Sequence, residues 1–166
     1  MKTKEKSKIK QRLKYRYMEM AKIWSKNSYA VRKKVGAIIV KDGQIISDGY
    51  NGTPTGFENE CEIIEPCSKS ECTSLFGDKQ CECCPYHVVK TKPYVLHAEA
   101  NAILKVAKSN NSTEGATLFC TLSPCLECAK LIIQAGIIEV YYDEEYNDKS
   151  GIELLKRAGI ICKKLM

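Results

Sequence analysis

The segment "LHAEANAIL", from Leu96 to Leu104, places an imidazole and a carboxylate at the start of an apolar helix. The spacing of the apolar residues predicts a helix over residues 97–108 that packs against a core. Burying His97 and Glu99 costs free energy unless a metal ion or a substrate compensates for it. The fold must therefore bring compensating groups to the start of this helix.

A second segment, "SPCLECAK", supplies such groups in Cys125 and Cys128. Pro124 favours a helix start at this point, and the spacing predicts a helix over residues 125–134. Two cysteines three positions apart in a first turn can direct both sulfurs to one point, and the helix dipole lowers their pKa. Alone, a C-x-x-C pair also serves redox exchange.

Together, the two segments resemble the H-x-E and P-C-x-x-C signature of zinc-dependent nucleobase deaminases. His97, Cys125 and Cys128 would be three zinc ligands, which leaves a fourth position for water. Glu99 would then be the catalytic residue that carries protons between this water and the substrate. Two alternatives stay open: ordinary core and surface roles for all four side chains, or a closed structural site with Glu99 or another cysteine as the fourth ligand.

The composition of the chain fits one soluble domain. The chain has 166 residues, and no apolar run approaches the roughly 20 residues that span a bilayer. The N-terminus lacks the apolar stretch of a secretory signal, so we expect a cytoplasmic protein without a membrane partner. Ten cysteines in a reducing compartment indicate thiolate–metal chemistry rather than disulfides.

The net charge of +6 is concentrated at the N-terminus. Residues 1–16 contain eight basic residues and one acid, whereas residues 17–166 contain 18 basic and 19 acidic residues. We therefore predict a basic, disordered N-terminal arm over residues 1–16 and a single domain over residues 17–166. A near-neutral domain does not favour nucleic acid as a partner.

The remaining pattern predicts an α/β fold. Apolar spacing indicates helices over residues 10–26 and 151–157, and the segment 35–51 reads as a β-hairpin around Asp42-Gly43. Strands are predicted over residues 116–122, 137–142 and 159–165. Their alternation with helices predicts a mixed sheet covered on both faces. Residues 51–93 lack periodicity and are predicted to be an irregular insert.

Further motifs resemble the cytidine deaminase superfamily, and more closely its deoxycytidylate (dCMP) deaminase family. They are "VGAIIV", "DGYNGTPTGF", "HAEANAI", "LSPCLECAKLIIQAGI" and "YNDKSGIELLKRAGI". The resemblance runs from about Met18 to Ile161, interrupted by a Cys-rich insert at about residues 57–93. It implies a three-layer sandwich with a five-stranded mixed sheet, hydrolysis of dCMP to dUMP and ammonia, and assembly into homo-hexamers.

The same resemblance implies substrate-binding residues. Asn51 would bind the deoxyribose, and the backbone of Ala98 would meet the pyrimidine edge. Arg32 and Tyr146 are candidates for the phosphate, since a guanidinium suits phosphate oxygens. Ordinary roles stay open for three of them: a solvated charge for Arg32, a turn residue for Asn51 and a loop aromatic for Tyr146.

Regulation and a second metal are also implied by the resemblance. Many family members are activated by dCTP, here expected with magnesium, and inhibited by dTTP at a separate site that involves a loop containing here Gly49, Tyr50, Gly52 and Gly56. Some members carry a structural zinc in the insert region. Its candidate ligands here are Cys61, Cys67, Cys72, Cys81, Cys83, Cys84 and His87. Cys120 and Cys162 lie in apolar strands and are predicted to be core cysteines.

Two rival functions are a polynucleotide deaminase of the tRNA adenosine type and a non-catalytic, zinc-scaffolded binding module. In the first, the basic arm would follow a nucleic-acid backbone. The second would have no use for Glu99. The near-neutral domain and the nucleotide-type loop favour the deaminase of a small nucleotide.

Overall fold

The computed structural model describes residues 9–66 and 87–165. In this part of the chain it contains four helices: α1 (Gln11–Ser25), α2 (Ala98–Val106), α3 (Leu126–Gln134) and α4 (Ser150–Arg157). The strands are β1 (Gly36–Lys41), β2 (Gln44–Tyr50), β3 (Glu62–Pro66), β4 (His87–Thr91), β5 (Thr117–Leu122), β6 (Glu139–Glu144) and β7 (Ile161–Lys164).

The predicted hairpin is formed by β1 and β2. Asp42 and Gly43 both have positive φ, 50° and 78°, as a two-residue turn of this type requires. The register shifts between Ile39 and Val40, so one extra residue of β2 bulges from the ladder. The prediction of a hairpin at this dipeptide is therefore confirmed.

Five strands form one mixed sheet in the order β2-β1-β5-β6-β7. Strand β1 is antiparallel to both β2 and β5, whereas β5, β6 and β7 are mutually parallel. Each parallel step crosses over through a helix, α3 or α4, as parallel neighbours require. The predicted mixed five-stranded sheet is confirmed.

The helices cover both faces of this sheet. Helix α1 lies on one face, where Met18 and Ala21 pack with Ile38 and Phe119. On the other face, α2, α3 and α4 form the larger core, which includes Ala102, Ile132 and Leu155. Cys120 and Cys162 are buried in this larger core, as predicted. The three-layer α/β sandwich is confirmed.

Two expectations need correction. The insert is not wholly irregular, because Glu62–Pro66 and His87–Thr91 pair as an antiparallel hairpin. Its strands contain the β-branched pairs "II" and "VV", which are too short to give a periodic signal among the surrounding Pro, Gly and Cys residues. The predicted arm is also too long, since residues 11–16 form the first turns of α1. Among the described residues, none of the helices has the length and apolar character to cross a membrane.

Candidate metal centre and adjoining cleft

The start of two helices defines the candidate site. His97 immediately precedes α2, and Cys125 immediately precedes α3, with Cys128 in the first turn of α3. Two glycines permit the close packing behind these helix starts. A Cβ at Gly49 would lie 2.2 Å from the carbonyl oxygen of Ala98, and one at Gly151 would lie 2.1 Å from that of Pro124.

The three predicted metal ligands come together. Nδ1 of His97 lies 3.4 Å from Sγ of Cys125 and 3.3 Å from Sγ of Cys128. A tetrahedral zinc with ordinary Zn–S and Zn–N bond lengths sets such nitrogen and sulfur atoms about 3.5 Å apart. The ligand atoms all lie within 4.8 Å of one another, and among the described residues no other group of three or more metal-binding side chains forms. The donor set and its spacing therefore fit zinc.

The thiols are coupled to each other and to the imidazole. The hydrogen bond with Cys128 lowers the pKa of Cys125 to about 3, with a further lowering from His97. The same hydrogen bond and burial raise the pKa of Cys128 above its ordinary value. Hydrogen bonding with Cys125 raises the pKa of His97. One thiolate thus forms readily, as binding of a cation to this cluster requires.

Glu99 lies beside the cluster and is buried, with 4% of its surface exposed. Burial is the main cause that raises the pKa of its carboxyl group, and the imidazole of His97 opposes this effect. A carboxyl group beside metal-binding side chains can accept a proton and release it again. Its position suits proton transfer next to the metal ligands.

A cleft of about 240 Å³ opens onto His97, Glu99 and Cys125. All four predicted substrate-binding residues line it: Arg32, Asn51, Ala98 and Tyr146. The structure also brings in residues that the sequence did not single out, namely Lys33, Glu62, Thr91 and Ser123. Ser123 adjoins the "PCLEC" motif, which could have indicated it. Glu62 and Thr91 lie in the insert, where no sequence motif indicates a site residue.

Asn51 holds the loop between α1 and β1. Its Oδ1 accepts a hydrogen bond of 2.8 Å from the backbone N–H of Val35, and its Nδ2 donates one of 2.9 Å to the carbonyl oxygen of Lys33. The residue is buried, so these bonds fix the part of the loop that faces the cleft. Asn51 is therefore more than a turn residue, although the contact with a deoxyribose stays a prediction.

Arg32 and Lys33, two neighbouring cations of this loop, differ in their partners. Nη1 of Arg32 donates a hydrogen bond of 3.2 Å to the hydroxyl of Thr91. Lys33 instead forms an ion pair with Glu144. Tyr146 is fixed through its backbone, whose N–H donates to Oγ of Ser123 at 2.8 Å.

A second cavity, of about 390 Å³, lies beside the predicted regulatory loop. Tyr50, Gly52 and Gly56 line it, together with Lys105. Gly49 lies in β2 beneath α2 instead. The backbones of Gly52 and Leu96 exchange hydrogen bonds of 3.1 and 2.9 Å, so this loop is joined to the residue that precedes His97.

Among the candidate ligands of a second zinc, the structure describes only the side chain of Cys61. Cys61 is buried and also lines the second cavity. Cys67, Cys72, Cys81, Cys83, Cys84 and the side chain of His87 lie outside the described residues. A second zinc and its ligands stay a prediction.

A three-layer α/β domain in which a buried carboxylate adjoins an open His-Cys-Cys cluster defines a metal-dependent hydrolytic enzyme. The family described as "Cytidine and deoxycytidylate deaminase zinc-binding region" matches residues 11–144. The chain belongs to this family.

Individual relatives agree with that assignment. Deoxycytidylate deaminase of Enterobacteria phage T4 is 38% identical over 164 residues, covering 86% of this chain and 84% of that protein. The enzyme of phage T2 is also 38% identical, covering 86% and 87%. The crystal structure of dCMP deaminase from cyanophage S-TIM5 in complex with dCMP and dUMP is 41% identical, with a TM-score of 0.77, and covers 95% of this chain and 99% of that one.

Proposed function

We propose that this protein is a dCMP deaminase that hydrolyses dCMP to dUMP and ammonia in the cytoplasm. The observation that carries the proposal is the buried Glu99 beside the His97, Cys125 and Cys128 cluster, in a cleft that also presents Arg32. Similarity to a dCMP deaminase in complex with dCMP and dUMP supports this substrate. A scaffold protein would gain nothing from burying a carboxylate at the cluster.

Zinc is the cofactor that this donor set would hold, through Nδ1 of His97 and the sulfurs of Cys125 and Cys128. When bound, zinc acidifies a water molecule and so provides a nucleophile at neutral pH. Both thiols would give up their protons to the solvent when zinc binds, and the positive ends of α2 and α3 would stabilise the resulting charge.

Glu99 carries the protons of the reaction. It accepts a proton from the attacking water and delivers it to N3 of the pyrimidine while oxygen bonds to C4. It then transfers the remaining hydroxyl proton to the amino group at C4, the C–N bond breaks, and ammonia leaves. Burial raises the pKa of this carboxyl group, which makes the carboxylate a stronger base for the proton of the water.

The substrate would be bound along the cleft. The backbone of Ala98, the first residue of α2, would meet the pyrimidine edge next to Glu99. Asn51 would contact the deoxyribose from its fixed position on the loop, and Arg32 with Tyr146 would bind the phosphate. Arg32 suits this role because its fork of donors matches phosphate oxygens.

The replacement Glu99→Gln tests the mechanism. It preserves the shape of the side chain but removes the proton carrier, so we expect turnover of dCMP to fall by about 10²- to 10⁴-fold with zinc retained. Ammonia release and zinc content are measured together. Glu127→Gln is the matched control, since this acid of the first turn of α3 pairs with Lys130 at the surface. Activity of Glu99→Gln near that of the wild type would contradict the mechanism.

We extend the proposal to regulation, with dCTP and magnesium as activator and dTTP as inhibitor. The second cavity and the link between Gly52 and Leu96 support it, because an effector there would contact the loop joined to the start of α2. Rates of dCMP turnover with and without each nucleotide test it, and unchanged rates would reject it.

We also propose a homo-hexamer, and a second zinc in the insert. A solution mass six times that of the 18.7 kDa chain is expected by light scattering. Metal analysis should give two zinc ions per chain, whereas a count of one would reject the second zinc.

A further inference from the structure

We propose that Glu62 and Thr91, in the hairpin β3–β4, are positioning residues that hold Arg32 and so set the preference for a nucleotide over its nucleoside. This inference rests on the proposed function, since it concerns the phosphate end of the same cleft. It also gives the ends of the Cys-rich insert a role in substrate selection.

The backbone around Arg32 depends on the hairpin. Val31 and Arg32 lie between α1 and β1, outside any helix or strand. Oε1 of Glu62 accepts hydrogen bonds from both of their N–H groups, at 3.1 and 3.2 Å. Asn51 binds the next part of this loop, at Lys33 and Val35, so Glu62 supplies the anchor for the exposed residues just before it.

The side chain of Arg32 depends on the same hairpin. Its Nη1 donates to Oγ1 of Thr91 at 3.2 Å, and Thr91 is the direct cross-strand partner of Glu62. One residue pair of the hairpin therefore fixes both the backbone and the guanidinium of Arg32. An arginine restrained in this way loses less rotamer freedom when it binds an anion.

The charge of Arg32 is suited to an anion in the cleft. Within residues 9–66 and 87–165, Lys33 pairs with Glu144, but no carboxylate forms an ion pair with the guanidinium of Arg32. Its side-chain partner in this part of the chain is the neutral hydroxyl of Thr91, so that contact does not cancel the positive charge. Glu62 binds the backbone N–H groups of the loop instead, and these bonds hold the backbone of Arg32 in place.

The experiment compares kcat and KM for dCMP and for deoxycytidine, which lacks the phosphate, in the wild type and in Glu62→Ala, Glu62→Gln and Thr91→Val. We expect Glu62→Ala to lower the ratio of kcat/KM for dCMP to that for deoxycytidine by about tenfold, mainly through the KM for dCMP. Glu62→Gln should restore part of this ratio, because an amide oxygen still accepts the two N–H groups. Thr91→Val should lower it in the same direction.

Glu65→Ala is the matched control, since Glu65 lies on the same strand and pairs with Lys90 at 3.2 Å. We expect it to leave the ratio at the wild-type value. An unchanged ratio in Glu62→Ala and Thr91→Val would overturn the inference. If kcat/KM fell equally for both substrates, the role of the two residues would be merely structural.

Binding measurements separate this inference from the proposed function. Calorimetry with dUMP and deoxyuridine uses the same variants and needs no turnover. A wild type without activity on dCMP would reject the proposed function. Even then, a selective loss of dUMP affinity in Glu62→Ala would support the positioning role, and equal affinities across the variants would refute it.

Discussion

Gly49 lies where β2 passes beneath α2, the helix that carries Glu99. A Cβ at this position would lie 2.2 Å from the carbonyl oxygen of Ala98 and 2.6 Å from the backbone nitrogen of Ala102. Carbon and carbonyl oxygen atoms in contact are ordinarily about 3.3 Å apart or more. The replacement Gly49→Ala must therefore move α2 away from β2 by about 1 Å, because backbone atoms cannot rotate aside.

The cost follows from the contacts that join the two elements. Overpacking of a close-packed core costs about 1–3 kcal/mol. The same displacement strains the bond of 2.6 Å from the hydroxyl of Ser47 to the carbonyl oxygen of Ala102, and the bond of 2.8 Å from Asn101 to that of Tyr50. The loss of one of these two bonds adds about 1 kcal/mol, so we expect the free energy of unfolding to fall by about 2–4 kcal/mol.

Urea unfolding of the wild type, Gly49→Ala and Gly52→Ala measures this effect. Gly52 is the matched control, since the nearest atom to its added Cβ is Cε2 of Tyr50 at 4.0 Å. We expect Gly52→Ala to stay within about 0.5 kcal/mol of the wild type. Turnover should also fall in Gly49→Ala, because α2 positions Glu99. Equal unfolding free energies for the two variants would refute the packing argument.

Two further predictions concern the metal and the loop. Removal of the metal with a chelator should abolish turnover and lower the unfolding temperature, and added zinc should restore both. The variant Cys125→Ser should bind less than one zinc ion at this site. Full metal content in that variant would exclude Cys125 as a ligand. Asn51→Ala should lower the free energy of unfolding by about 2–3 kcal/mol, because it removes the partners of Val35 N–H and the Lys33 carbonyl oxygen. Urea unfolding measures the second effect, and a change below about 0.5 kcal/mol would contradict it.

Local patterns were sufficient for much of the fold and for the metal cluster. The Asp42-Gly43 turn was predictable because positive φ at two successive residues favours these residue types. The cluster was predictable because the spacing of Cys125 and Cys128, and of His97 and Glu99, fixes their positions at helix starts. Helix boundaries agreed to within about two residues, as is usual for frayed ends.

The sequence by itself determined which elements form and which side chains have the chemistry for a deaminase site. Only the tertiary structure decided the partners of Arg32, Asn51 and Gly49. Glu62 follows Arg32 by 30 residues and Thr91 follows it by 59, so no local period relates them. Such contacts depend on how the insert hairpin and the α1–β1 loop come together at one cleft, since hydrogen bonding between distant residues is fixed by packing of the whole chain.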